Sequence, residues 1–362
     1  MERISYLLGS VQRSLFPHLR EEVGELTEKE RRFVLVLEVV EVEKHVRNHH
    51  WLGRKPKDRK PLARSFVAKA FYNIPTTGGL LERLRRDKTF RQLCGWEYWY
   101  QVPSESTFSR TFDEFAQSEL TDKVHEALVK EYVSDDVVWH VSRDSTAIEA
   151  REKPAKKVKV AAPKAKRKRG RPKKGEQRPV PEKKRIEKQR EWSIEECLGD
   201  LPRACDVGTK KDSKGHKTSW IGYKFNVDVA DGGVPLSGIT TSASMHDSQA
   251  AIPLAKMTAE RVESFYDLMD SAYDAEPIRQ TSLEMGHVPI IDRNARGGKS
   301  LPMEPDRARR YNNRTTAERF NSQLKDNHGG AMVRVRGNKK VHTHLMFGVL
   351  VIFAEAMLGL VT

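Results

Sequence analysis

Hydrophobic and polar positions divide the chain into a helical first third and a mixed remainder. Over residues 1–135 the apolar positions recur with helical spacing. Thr27-x-x-Glu30 has the form of a capping box ahead of an apolar stretch that runs through Val46. A second helix is predicted from Pro61 to Tyr72. Gly78-Gly79 opens Leu80-Leu81-Glu82-Arg83-Leu84, and Pro103-Ser104 precedes a short helix around Thr107–Phe112. From residue 137 the pattern changes. Val137-Val138-Trp139-His140-Val141 is rich in β-branched and aromatic residues and reads as a strand closed by Asp144. Trp220 to Val229 alternates as a strand, Asp231-Gly232-Gly233 signals a turn, and Val234 to Thr241 returns as its hairpin partner. A helix over Ala250–Arg261 leads to a strand at Phe265–Met269 closed by Asp270, and His287–Ile291 is a further short strand. Leu345 to Val361 is largely apolar, but it contains Glu355 and falls short of the ~20 residues of a membrane span. It reads as a buried C-terminal helix packed on the sheet.

This succession fits an α/β fold: an RNase H-like domain over 136–362, preceded by an all-helical domain over 1–135. Near the end of the chain stand Tyr311, Arg314, Glu318 and Lys325, spaced Y-x2-R-x3-E-x6-K. At about 100° per residue, a helix gathers all four within roughly a 60° arc. Ala317, Phe320 and Leu324 fall on the opposite side as a core stripe. One face then offers a carboxylate bracketed by two cations and a phenol, the equipment for holding a metal ion and gripping phosphate oxygens. The competing reading is that Thr315-x-x-Glu318 is itself a capping box, with Tyr311 and Arg314 ahead of the helix. Asp144 and Asp270 likewise have ordinary readings as turn or cap residues. In order along the chain, however, the two strand aspartates and the helical glutamate form a set that can hold two Mg²⁺ ions about 4 Å apart.

The net charge is +15, and its whole excess sits in residues 151–190, where 19 Lys and Arg face 4 Asp and Glu. Such a block cannot bury enough apolar surface to fold alone and is expected to be a disordered arm. It interrupts the α/β domain as an insertion over 151–215. Within it lies Lys166-Arg167-Lys168-Arg169-Gly170-Arg171-Pro172-Lys173-Lys174. Its Gly-Arg-Pro core resembles an AT-hook, in which Pro extends the backbone and arginines lie along a narrow A/T-rich minor groove. A generic polybasic tail binding any polyanion is the alternative. Arg54, Lys55, Lys57, Arg59 and Lys60 form a second basic segment that could touch phosphates. Three cysteines, Cys94, Cys197 and Cys205, argue against a disulfide framework and for a reducing cytosol. No Cys/His cluster has zinc spacing, and the N-terminus has no signal-peptide pattern.

These residues resemble those of bacterial insertion-sequence transposases of the DDE type, and more narrowly the group marked by the Tyr-Arg-Glu-Lys signature. Asp144-Ser-Thr resembles the family's first aspartate motif and Asp270-Ser-Ala-Tyr its second, with Ala272 where Gly is frequent. Met245-His246-Asp247-Ser248-Gln249 resembles a further family segment. The likeness is strongest over 137–149 and 220–350. It implies a Mg²⁺-dependent (Mn²⁺-tolerant) DNA endonuclease and strand transferase with two ions per site. Asp144, Asp270 and Glu318 would be its catalytic metal ligands, and Tyr311, Arg314 and Lys325 would hold DNA phosphates. The implied partners are double-stranded DNA at the element's ends and at the target, and a second copy of the chain in the synaptic complex. No membrane and no small-molecule substrate is implied, and the protein is expected in the cytoplasm at the nucleoid. The helical N-terminal domain resembles the one that binds element ends in these transposases. Trp220 and Trp192 are candidate platforms for a flipped base. The rival readings are a transposase-derived architectural DNA-binding protein and an RNase H-like nuclease that does not rejoin.

Overall fold

A computed structural model describes residues 25–47, 57–156, 183–211, 215–294 and 302–359. The proposed arm at 166–174 lies outside these residues, as do Arg54 and Lys55 of the basic connector.

Among the described residues six α-helices precede the first strand: α1 (Glu28–Val40), α2 (Arg59–Phe71), α3 (Thr77–Arg86), α4 (Lys88–Leu93), α5 (Glu105–Gln117) and α6 (Leu120–Tyr132). The expected capping box at Thr27 is present: its side chain accepts from the Glu30 N–H while Glu30 reaches back to the Thr27 N–H. The helix stops at Val40, short of Val46, because Glu41 turns into the left-handed region (φ 40°) and a 3₁₀ turn follows over Val42–Lys44.

The sheet begins with β1 (Val138–Ala150), a strand about twice as long as its apolar run. Beyond it come α7 (Arg185–Glu191), α8 (Ile194–Asp200), β2 (Asp206–Lys211), β3 (Lys217–Ala230) and β4 (Pro235–Ser242). There follow α9 (Ser248–Ala259), β5 (Ser264–Met269), α10 (Glu276–Glu284), β6 (Val288–Ile291), α11 (Pro305–Tyr311), α12 (Thr315–Asn327), β7 (Met332–Val333) and α13 (Asn338–Gly359). The central order is β4-β3-β1-β5-β6, with β3 antiparallel to β1 and β4, and with β1, β5 and β6 parallel. This is the RNase H-like arrangement that the element order predicts. The hairpin turns at Gly232 and Gly233, whose φ of 78° and 85° other residues adopt only with strain. At Gly222 a Cβ would lie 2.1 Å from the Ile148 carbonyl, so only glycine lets β1 and β3 approach there.

Two expectations need correction. The predicted insertion at 151–215 is ordered over its C-terminal part. There α7 and α8 pack against α9, and β2 extends the sheet beside the first half of β3. Asp144 does not close its strand, because β1 continues for six more residues to Ala150. What ends at Arg143 is the pairing with β5 (Arg143↔Met269), while pairing with β3 runs on to Glu149.

The apolar C-terminal helix does pack on the sheet, and it does more. Its Val341, Leu345, Met346, Val349 and Ile352 join a core with Phe225, Val227 and Phe320. Its Phe347, Leu350, Val351, Phe353 and Ala354 join a second core with Phe33, Phe66 and Phe112 of the N-terminal helices. A helix covered on both sides is hydrophobic all round, which is why this segment mimics a membrane span. It is the one described helix long and apolar enough to cross a membrane, and 72% of its apolar window is buried in the fold.

Candidate active site

Adjacent residues of β1 point to opposite faces of the sheet. Arg143 faces α9. Asp144 faces α12, as do Ser142, whose hydroxyl donates to the Asn313 carbonyl (3.2 Å), and Val227 of β3. Because Arg143 pairs with Met269 and Met269 with Ile291, the next residues of three parallel strands are Asp144, Asp270 and Asp292. Each lies one position beyond the last residue paired between these parallel strands, on the side where open α/β sheets bind ligands.

The segment after β6 returns across this edge. Tyr311 ends α11, a 3₁₀ turn covers Asn312–Arg314, and α12 follows with αR dihedrals throughout the junction. The path is one nearly continuous helix. Thr315 donates its hydroxyl to the Asn312 carbonyl and caps nothing, so the capping-box reading of Glu318 fails. Ala317, Phe320 and Leu324 are buried as expected. Arg314 pairs with Glu318, which is half exposed, and lies over the Tyr311 ring (5.7 Å). Lys325 is partly buried and has no hydrogen-bond or ion-pair partner among the described residues.

The electrostatics tie the quartet to the aspartates. Burial pushes the Asp144 carboxyl up to about 6, with Asp270 and Asp247 adding to the effect and the Ser145 N–H and Arg314 opposing it. Burial works against the Arg314 cation, yet Tyr311, Glu318, Asp144 and Asp270 together hold it above its ordinary value. Burial and then Lys210 lower Lys325, against Asp326, Glu149 and Asp144. Burial raises the Tyr311 phenol.

The three expected metal ligands do not form a ready-made cage: among the described residues no three His, Cys, Asp or Glu side chains are grouped closely enough to hold an ion. Each carboxylate is instead engaged by a local donor. Asp144 accepts from Asn321 Nδ2 (3.0 Å), Asp270 from the Ala272 N–H (2.8 Å), and Glu318 from Arg314. The donors present nevertheless suit a hard divalent cation, because all are oxygens. Two further oxygens nearby, Asn321 Oδ1 and Tyr273 Oη, are buried without a hydrogen-bond partner. Asp144, Asp270 and Asp247 all act on the Tyr273 phenol, which burial holds well above its ordinary value.

Sequence reasoning missed Asp292 and Asn321, and it placed Tyr273 and Asp247 only within resembling segments. Asp292 carried the same signal as the other two, an apolar run followed by aspartate. Asp247 starts α9 and is held by Lys224 Nζ (2.7 Å). The proposed base platforms are poorly placed. The Trp220 ring lies over Gly208 and its Nε1 donates to the Tyr223 carbonyl (3.1 Å), while Trp192 is partly buried at the end of α7. Arg59 of the basic connector is committed to Glu114 (2.9 Å).

Comparison with known families gives two matches. The family described as Transposase DDE domain matches residues 139–354, and that described as Transposase domain (DUF772) matches residues 21–114. The chain belongs to the DDE transposase family, and the two matches together mark it as an insertion-sequence transposase. No curated protein matches it, and no solved structure does.

Proposed function

We propose that this transposase belongs to the Tyr-Arg-Glu-Lys group and works by two successive phosphoryl transfers on double-stranded DNA. In the first, a water oxygen attacks the phosphorus at the element's end and the P–O3′ bond breaks, freeing a 3′-hydroxyl. In the second, that hydroxyl attacks a target phosphate and displaces a target 3′-oxygen. The observation that carries the reading is the placement of Asp144 and Asp270 at neighbouring positions beyond the last paired residues of parallel strands, beside a helix bearing Arg314, Glu318 and Lys325.

Asp144, Asp270 and Glu318 would hold two Mg²⁺ ions, with Mn²⁺ as a substitute. Bound there, the ions would lower the pKa of the attacking oxygen and offset charge on the leaving one. Arg314 now neutralises Glu318, and an arriving phosphate offers its guanidinium an alternative bidentate acceptor. Lys325 supplies a cation with no competing partner among the described residues, and Tyr311 positions a phosphate oxygen. The basic arm at 166–174, tethered after β1, would concentrate DNA at this edge, and synapsis of two ends requires a second copy of the chain. These activities place the protein at the nucleoid in the cytoplasm.

A Mg²⁺-dependent cleavage and strand-transfer assay on the element's flanking DNA, with Asp144→Ala alongside, tests the reading. Cleavage and joining by the wild type alone are expected. Cleavage without joining of a supplied 3′-hydroxyl end would convert the assignment to a nuclease, and duplex binding without cleavage would favour an architectural role. Glu318→Gln is expected to lose cleavage while keeping duplex binding. Deleting 164–175 should weaken binding to A/T-rich DNA more than to G/C-rich DNA, and equal loss would leave a polybasic tail.

A further inference from the structure

Asn321 stands out because of its position and its unmet hydrogen-bonding capacity. It lies on α12 one turn after Glu318, and it is 7% exposed. Its Nδ2 donates to Asp144 Oδ2 at 3.0 Å, across 177 residues of sequence, while its Oδ1 is buried with no partner. A buried amide with one half satisfied is costly to keep for packing alone, since leaving a buried acceptor unpaired forfeits about 1–3 kcal/mol. An apolar residue would fill the same space without that cost. Its one-turn neighbours Ala317 and Leu324 are apolar and buried, so Asn321 sits at the border between the core stripe and the charged face. The amide also provides a direct side-chain link between β1, which carries Asp144, and the helix that carries Glu318, Arg314 and Lys325.

We propose that Asn321 is a positioning residue for the divalent cation of the DNA-processing site. Its N–H fixes the rotamer of Asp144, and its free oxygen accepts from water in the ion's hydration shell. The proposal rests on the assignment of Asp144 under Proposed function. Partners that orient a metal ligand typically account for about 10–100-fold in metal affinity.

The test is Mn²⁺ binding to the full-length chain, followed by electron paramagnetic resonance, in wild type, Asn321→Leu, Asn321→Ala and Asp144→Ala. Leucine keeps the branching and size of asparagine but cannot donate. Asn321→Leu is expected to raise the Mn²⁺ midpoint about tenfold, with unchanged thermal midpoint and duplex affinity. In cleavage, the Mn²⁺ concentration for half-maximal rate should rise by the same factor more than the saturated rate falls. A folded Leu variant that binds Mn²⁺ as wild type does would overturn the proposal, and if Leu unfolds the chain the Ala variant decides the matter in the same way. Asp144→Ala separates the two claims: if it too binds Mn²⁺ normally, the metal-ligand assignment has failed rather than the role of Asn321.

Discussion

Arg143 and Asp144 are consecutive on β1, yet they serve two different electrostatic regimes. On the α9 face, Arg143 and Asp228 are fully buried and joined by two hydrogen bonds (2.8 and 2.7 Å), with Thr258 donating to the same carboxylate (2.7 Å). Every charge there is matched by a neighbour that cannot leave. On the α12 face, Asp144 feels both Asp270 and Asp247 (the latter from the start of α9), and Arg314, the cation that opposes them, is shared with Glu318. The first region is complete without a ligand. The second has more negative charge than its own side chains offset, and a divalent cation with a DNA phosphate would balance it. Burial alone therefore does not distinguish a structural ion pair from a working one; whether the charges close on themselves does.

The contrast can be broken from either side. The largest effect is expected from Asp144→Asn, which should reduce Mg²⁺-dependent cleavage by about 10³-fold or more, equivalent to ~4 kcal/mol of barrier, without lowering the denaturant midpoint. Cleavage within tenfold of wild type would remove Asp144 from the chemistry. On the other face, Asp228→Ala strands a buried guanidinium and should cost about 3–5 kcal/mol of folding stability. The double replacement Arg143→Met with Asp228→Leu should recover most of it, and chemical denaturation of both variants checks the pair. Thr258→Val removes one hydrogen bond to that carboxylate and should cost about 2 kcal/mol, leaving cleavage of the folded fraction unchanged.

The smallest effect concerns pH. Because folding raises Asp144 above its unfolded value of 3.8 to about 6, its contribution to stability is fully present below 3.8 and is lost as pH rises through 6. Without divalent ions the wild type should therefore gain about 1 kcal/mol relative to Asp144→Asn on going from pH 7.5 to about pH 5.3. Added Mn²⁺ should raise the wild-type thermal midpoint more at pH 7.5 than at pH 5. Equal shifts at the two pH values would mean that Asp144 is not where the ion binds.

Much of this site was legible in the sequence because its parts follow local patterns. A strand-period run followed by aspartate marked Asp144 and Asp270, and helical spacing put Tyr311, Arg314, Glu318 and Lys325 together. The error about where β1 ends has a definite cause. Hydrophobicity reports burial on both faces, and β1 loses its β5 neighbour at Arg143 while keeping β3, so the apolar run stops before the strand does. Asn321 was illegible because its meaning depends on a contact across 177 residues. The elements α7, α8 and β2 were hidden for another reason: the two helices are only seven residues long, and β2 reads Asp-Val-Gly-Thr-Lys-Lys at the sheet's edge, so none carries enough periodicity to stand out beside the basic block.

The two-sided burial of α13 sets an order of events during synthesis. The N-terminal helices emerge from the ribosome first, yet Phe33, Phe66 and Phe112 are covered by Phe347 and its neighbours, and Ala70 accepts from His328, 258 residues downstream. The helical region cannot finish its core until synthesis has passed α13. A nascent or prematurely terminated chain that stops before Asn338 exposes both apolar surfaces at once. Such a fragment would present chaperones and proteases with an open substrate, so that survival of the polypeptide hangs on a single helix.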